Sequence, residues 1–485
     1  MNLPPSCSSA GGFVTLAAMR RWVCLVTSVL GLGLSLLSGW AKPPTVSITN
    51  VVRADPGVII QWEASSAELQ FTVERRDALT SGGWEPLPNV PWPIRTNGVQ
   101  AATSDPSVQF FRVSFEPVAG RRGRLISATR VSTLNQALIN FVFTNGGYPI
   151  TADRAVEFYK LVYETVDAQG LPTIASGALA LPVGVSIPLP LVTYQHGTIV
   201  RREDVPSRLN LEGLIGVAFA TAGYAAVLPD YLGLGDSPGV QPYHHARSEA
   251  TCVIDLLRAA RTYAASNDVA LSDRLFLAGY SHGGHATLAA LREIEAKHAD
   301  EFVVTACAAG AGAYDLSGTT LNRVLGGAAV PNPYYYPYLL NAFVDVYDFT
   351  DSLADLLREP WRTTIPPLFD GETDSGVINA ALPSVPLEIF DPPVVSALKA
   401  DPDHPLRRAL RDNDLLDWTP RAPLRLYRCS GDQDVDPLNS KVAFDRFQAR
   451  GATQVELLDP SPGADHGSCA VPALLEVKAW FDSLR

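Results

Sequence analysis

With 485 residues the chain is long enough for one large domain and a smaller companion, each with its own core. Apolar residues at 47% against 18% charged exclude an intrinsically disordered chain. A formal net charge of −12 argues against nucleic acid and against an anionic membrane surface as partners.

The N-terminal text "MRRWVCLVTSVLGLGLSLLSGWAKPP" reads as a secretory leader. Two arginines precede a charge-free apolar run from Trp22 to Leu37. Gly39 and Ala41 then offer the small residues that signal peptidase requires, which places cleavage before Lys42. Residues 1–41 are therefore assigned to the leader, with Met19 as its start. The run from Trp22 to Ala41 is also long enough for an uncleaved membrane anchor, the alternative reading. Export to the outside of the cell, the periplasm or the envelope permits disulfides. Cys7 and Cys24 depart with the leader and leave Cys252, Cys307, Cys429 and Cys469, without metal-finger spacing.

From Pro43 to Val118 short runs such as "GVIIQWEA", "LQFTVERR" and "VQFFRVSFEP" alternate with "DPG", "SGGW" and "NGV". Val, Ile, Phe and Thr runs split by turn residues predict a small β-sandwich. It resembles the fibronectin type III-like modules attached to many secreted bacterial enzymes. The resemblance implies a spacer or an adhesion unit that contacts a surface or a polysaccharide. "AGRRGR", Ala119 to Arg124, reads as the linker to a second, larger domain.

The remainder, 123–485, alternates strand and helix, which predicts an α/β architecture with a mostly parallel sheet under helices. An antiparallel pair, "FYKLVYETVDAQGLPTIASGALALP", opens it. The strands "LPLVTYQHGT" and "GYAAVLP" come next, then a helix from Ala246 to Ala265. A strand from Leu275 to Tyr280 runs into a helix from His282 to Lys297, and "EFVVTACAAG" is the next strand. The pattern breaks over about 314–420, a Pro-, Tyr- and Asp-rich insertion that reads as a cap. Its "NPYYYPYLL", Asn332 to Leu340, either lids an acyl chain and meets a lipid surface, or packs the cap onto the body. Regular order returns with "PLRLYRCSGDQDVDP", a helix from Leu438 to Arg450, "QVELLDP", and a last helix from Val471 to Leu484.

At the junction of strand and helix stands Gly279-Tyr280-Ser281-His282-Gly283, a G-x-S-x-G turn. A chain that reverses within a residue or two holds its serine in a strained conformation with the hydroxyl lifted above the sheet edge. Side chains beside it would strike backbone, so glycine flanks it. The helix opening at His282 aims free N–H groups at any negative charge formed there. The bare motif is weak by itself. It gains force from partners in nucleophile, acid, histidine order. Asp432, Asp434 and Asp436 follow one strand, and His466 lies in the loop after the last strand.

The segments "YQHGT", "PDYLGLGDSPGVQPYHHARSEA", "AGYSHGGHATLAAL", "SGDQDVDP" and "ADHGS" together resemble an α/β-hydrolase of the secretory-lipase (lipase A-like) type. The resemblance implies a triad of Ser281, Asp434 and His466, since the family's G-x-x-D-x-x-P arrangement puts the acid on Asp434. Where that family often has glutamine after the nucleophile, this chain has His282, and "QPY" replaces a commoner "HPY". The oxyanion donors are placed at the His282 N–H and at Gly197 or Thr198. Asp230, Tyr231, Tyr335 and Tyr336 are placed on the substrate wall. His196 is read as a structural histidine. Gly233-x-Gly235 has no third glycine at phosphate-loop spacing, and no metal or cofactor is expected. Cys429 and Cys469 flank the acid and the histidine, which suits a disulfide between the two loops, with Cys252 and Cys307 free and buried.

These residues describe a secreted serine hydrolase that cleaves carboxylic esters of small molecules or lipids through an acyl-enzyme. A serine peptidase of the same fold and a non-catalytic binding protein on this scaffold are the alternatives.

Overall fold

The structure, a computed structural model, describes residues 122–485 throughout and, before them, 46–54, 57–64, 69–76, 85–86, 94, 97–101 and 110–117. The leader and the linker's first residues lie outside the described residues. The chain divides into two units between Glu116 and Pro117.

Among its described residues the first unit has six strands: β1 (Val46–Ala54), β2 (Gly57–Ala64), β3 (Leu69–Arg76), β4 (Glu85–Pro86), β5 (Gly98–Ala101) and β6 (Phe110–Pro117). They form two three-stranded sheets, ordered β1-β2-β5 and β4-β3-β6. Alternate residues of β2 (Val58, Ile60, Trp62) and β3 (Leu69, Phe71, Val73) turn into one core with Ile94 and Phe111. This is the period-two burial of a sandwich. Trp62 and Phe71 meet edge to face at 5.2 Å.

The second unit is built on strands β7 (Leu125–Leu134), β8 (Val156–Val166), β9 (Pro172–Pro182), β10 (Leu189–Gln195), β11 (Ala225–Pro229), β12 (Leu271–Tyr280), β13 (Val304–Gly310), β14 (Leu424–Tyr427) and β15 (Val455–Leu458). Its helices are α1 (Gln136–Asn145), α2 (Gly213–Thr221), α3 (Ala246–Ser266), α4 (His282–Lys297), α5 (Leu321–Leu325), α6 (Tyr335–Tyr347), α7 (Trp361–Thr364), α8 (Ser375–Ala380), α9 (Pro392–Ala400), α10 (Pro405–Asp412), α11 (Leu438–Ala449) and α12 (His466–Asp482). Among the described residues no helix is long and apolar enough to cross a membrane.

The nine strands run in the order β15-β14-β13-β12-β10-β11-β9-β8-β7. From β11 to β15 neighbours are parallel, whereas β7, β8 and β9 pair antiparallel and attach through β9 to β11. Each central strand is apolar on both faces, the mark of a sheet covered twice. Leu275 and Leu277 of β12 face a core closed by α3, α4 and α11. Phe276 and Ala278 face the other, closed by α1, α2 and α12. Burying each such large side chain stabilises by roughly 1.5–3 kcal/mol.

β10 lies between β11 and β12, so the chain order reverses beside it. The loop after β10 and the turn after β12 therefore open into the same crevice, where ligands of open parallel sheets bind. The register places Gln195 at the end of β10 opposite Gly279 at the end of β12. Between β13 and β14 the helices α5 to α10 form a cap with its own core, including Phe343, Leu353, Ile365, Ile378 and Ile389.

The sequence reading leaves out α1 and α2 as well as β7, and it misplaces the start of α12. β7 follows the linker without having been anticipated, because most of its side chains face solvent and no apolar pattern marks it. The last helix opens at His466, not Val471, so His466 heads a helix instead of sitting in a loop. Asp465 caps it, accepting from the Ser468 N–H at 2.8 Å.

Candidate active site

Ser281 joins β12 to α4 with φ 60° and ψ −125°, a conformation costly for any residue with a Cβ. Its N–H donates to Gly310 at 2.8 Å, and its carbonyl accepts from Gly284 at 2.9 Å. The glycines around it are required by close approach. A Cβ on Gly279 would strike the Gly283 carbonyl and Thr287, and one on Gly283 would strike the Gln195 and His196 carbonyls. The turn is thus wedged between β10 and the first turn of its own helix.

His466 Nε2 lies 2.8 Å from Ser281 Oγ, and His466 Nδ1 lies 2.5 Å from Asp432 Oδ2. The expected acid, Asp434, is elsewhere. Its two carboxylate oxygens accept the N–H and the side-chain amide of Asn332, each at 3.0 Å, and so tie the acid loop to the cap. Asp432 occupies the position assigned to Asp434 because the turn folds back on it. Asp432 Oδ1 accepts the N–H groups of Asp434 and Val435 at 2.9 Å, which leaves Oδ2 for the imidazole. The backbone of His466 is fixed by Tyr280, whose hydroxyl donates to its carbonyl at 2.7 Å. Cys429 and Cys469 are joined by a disulfide that ties the end of β14 to α12, while Cys252 and Cys307 are free and buried.

His282, as the first residue of α4, has an N–H with no carbonyl four residues earlier in its helix. Across from it the loop after β10 brings Gly197 against Ser281, where an added Cβ would lie 4.0 Å from the serine Cβ. The Gly197 N–H points instead to Glu212 Oε1 at 3.4 Å. Thr198 follows, its hydroxyl 2.6 Å from that of Tyr243. His196 sits between the Gly197 and Asp230 carbonyls, at 2.7 and 3.3 Å, and burial pushes it down to about 3.

Sequence reasoning missed Glu249. This residue of α3 is 3% exposed. It faces His282 Nε2 with one oxygen and His285 Nδ1 with the other, both at 2.7 Å. Burial alone would raise its carboxyl, but the two histidines hold it far below the usual carboxylate range. The signal available in the sequence was the spacing of His282 and His285, three apart on one buried helix face, where two imidazoles need a shared acceptor. His244 packs beside them with φ 57°, and burial lowers its basicity strongly. His244, Glu249 and His285 carry ligand-capable atoms within 4.8 Å of one another.

A pocket opens at Ser281, walled by Tyr335, Tyr336, Arg323, Asp434 and Leu339 among others. It shares Leu316, Thr320, Tyr336 and Leu339 with a second, apolar pocket in the cap, lined by leucines, valines and Phe390. Tyr335 and Tyr336 therefore border the space above the serine. Asp230 and Tyr231 do not, contrary to expectation. Asp230 is fully buried, bonded to Ser176 Oγ at 2.6 Å and to the Ser207 N–H at 2.9 Å. Tyr231 is packed on His196 with ring centroids 4.3 Å apart.

A parallel sheet with a serine on a strained strand-to-helix turn, under a helical cap, is the α/β-hydrolase fold. A family model described as secretory lipase matches residues 207–471. The rice cell wall degrading esterase LipA of Xanthomonas oryzae is similar at 30% identity and TM-score 0.67, over 75% of this chain and 100% of the other. A hydrolase candidate from Legionella pneumophila is similar at 29% identity and TM-score 0.70, over 74% and 98%. Candida antarctica lipase A, at 16% identity and TM-score 0.57 over 75% and 83%, shares the fold. No curated protein sequence matches. The chain belongs to the secretory lipase family and is a carboxylic ester hydrolase.

Proposed function

We propose that the protein is a secreted lipase or esterase acting through Ser281, His466 and Asp432. The observation that carries this reading is the continuous chain of contacts, 2.8 Å from Ser281 Oγ to His466 Nε2 and 2.5 Å from Nδ1 to Asp432 Oδ2. His466 takes the serine proton as Oγ attacks the ester carbonyl, and Asp432 orients the ring and stabilises its charged form. The negative oxygen is held by the His282 N–H and, because the Gly197 N–H is turned to Glu212, by the Thr198 N–H. His466 returns the proton to the departing alcohol. Water then repeats the sequence on the acyl-enzyme, its proton passing to His466 and from there to Ser281.

The apolar cavity in the cap meets the space above Ser281 and supports an acyl chain as its occupant, so the substrate class is an ester of an aliphatic acid. The relative that degrades rice cell wall makes plant cell wall esters a natural source of such substrates. Export follows from the leader read in residues 1–41, and the first unit is proposed as a fibronectin type III-like module that contacts a surface or polysaccharide.

The test is hydrolysis of p-nitrophenyl esters from acetate to palmitate by the wild type and by Ser281→Ala. The reading expects kcat/KM to rise from acetate to octanoate or longer and to fall by more than about 10³-fold in the variant. Activity retained by Ser281→Ala would overturn the nucleophile. A maximum at acetate would overturn the acyl assignment of the cap cavity.

A further inference from the structure

We propose that Glu249 is a positioning residue for the oxyanion amide, acting through the side chain of His282. The inference rests on the reading of Ser281 and the His282 N–H given above.

Glu249 stands in the first turn of α3, yet its carboxylate belongs structurally to the first turn of α4. His282 and His285 project from one face of that turn and each takes one carboxylate oxygen at 2.7 Å. All three side chains are at most 3% exposed. Proton accounting fixes the roles. His285 Nε2 faces the Asn413 carbonyl at 3.0 Å, an acceptor only, so this nitrogen carries a proton. His285 Nδ1 faces the second carboxylate oxygen of Glu249. His282 faces Glu249 through Nε2, and its buried Nδ1 has no hydrogen-bond partner. The contacts are therefore charge-assisted hydrogen bonds, about twice as strong as neutral ones. At 2.7 Å both contacts have the length of charge-assisted hydrogen bonds.

The clamp grips the turn whose opposite side is Ser281. The serine's φ of 60° is strained, and such a conformation persists only where its surroundings over-determine it. Gly279 and Gly283 permit the turn, and β10 blocks it on one side. Glu249 supplies the hold from below, through the same residue whose backbone N–H faces the oxyanion. Loss of that hold lets the amide and Oγ drift, and a misplacement of about 1 Å costs on the order of 10² in rate. Glu249 is buried and is not part of the lining of the pocket at Ser281, so the cost is expected in kcat.

The experiment measures kcat and KM on p-nitrophenyl octanoate for full-length Glu249→Gln, His282→Leu and His282→Gln, with circular dichroism to establish folding. Expected are losses of about 10²-fold in kcat for Glu249→Gln and for His282→Leu, with KM within about twofold. His282→Gln, whose amide can still donate to Glu249, recovers at least about tenfold of the kcat lost by His282→Leu. A loss that appears in KM overturns the proposal. So does a His282→Gln as impaired as His282→Leu, or wild-type kcat in folded Glu249→Gln. A divalent metal bound one to one, whose chelation abolishes activity, overturns it equally. Should Glu249→Gln fail to fold, the two His282 variants decide. Ser281→Ala assayed in parallel separates the two failures. Activity there removes the nucleophile reading, whereas an inactive Ser281→Ala beside an unimpaired Glu249→Gln removes this inference alone.

Discussion

Asp432 and Asp434 stand two residues apart, and their carboxylates do opposite work. The backbone N–H groups of Asp434 and Val435 both point at Asp432 Oδ1, so this carboxylate is oriented before His466 arrives. Asp434 faces away, toward Asn332 of the cap. The sequence "GDQDVD" offers three acids within one turn, and which of them reaches the imidazole depends on where the chain curls, a detail that residue spacing does not encode. Asp432→Asn is expected to lower kcat by about 10³–10⁴-fold, because an amide supports the wrong histidine tautomer and cannot balance the imidazolium. Asp434→Asn keeps one acceptor for Asn332 and is expected to lower kcat by less than about tenfold. Steady-state kinetics on one ester for both variants decide, and equal losses would return the acid to Asp434.

At the scale of elements, the strands that carry the site were legible because buried parallel strands are continuous apolar runs and because G-x-S-x-G marks the turn after β12. β7 was not, since an edge strand with solvent-facing side chains has no such run. The start of α12 was misread for another reason. Pro472 looks like a first-turn proline, yet here it lies inside the helix. Asp230, at the end of β11, was placed in the substrate wall by its neighbourhood in the motif. It instead joins β11 to Ser176 of β9 and to Ser207 of the turn before α2. Burial raises its carboxyl to about 6, while the bonds from Ser176 and Ser207 pull the other way. An acid raised in the folded state contributes stability that is full below its unfolded value near 4 and is lost as pH climbs through about 6. Asp230→Asn is therefore expected to match the wild type at pH 4 and to exceed it by about 2 kcal/mol at pH 8, read by urea denaturation at both values. A variant less stable than wild type at pH 8 would mean that the ionised carboxylate is needed there.

At the scale of the whole molecule, the two units bury separate cores. Trp62, Phe71 and their neighbours form one, and the residues around β12 form the others. The contacts from Ser281 through His466 to Asp432 and the clamp at Glu249 lie wholly within 122–485. The rice cell wall degrading esterase is covered over its full length by 75% of this chain, a share that fits the second unit standing as a catalytic body without the first. A chain beginning at Pro117 is accordingly expected to fold and to hydrolyse soluble p-nitrophenyl esters with kcat and KM within about twofold of the full-length protein, since the residues proposed to move the proton and to line the acyl pocket all lie within it. Its thermal transition should match that of the catalytic unit in the intact chain. The contribution of the first unit would then appear only on insoluble or polymeric esters, where a tethered surface contact raises the effective concentration of bonds to be cut. A truncated enzyme equally impaired on soluble and insoluble esters would instead assign the first unit to the integrity of the site itself.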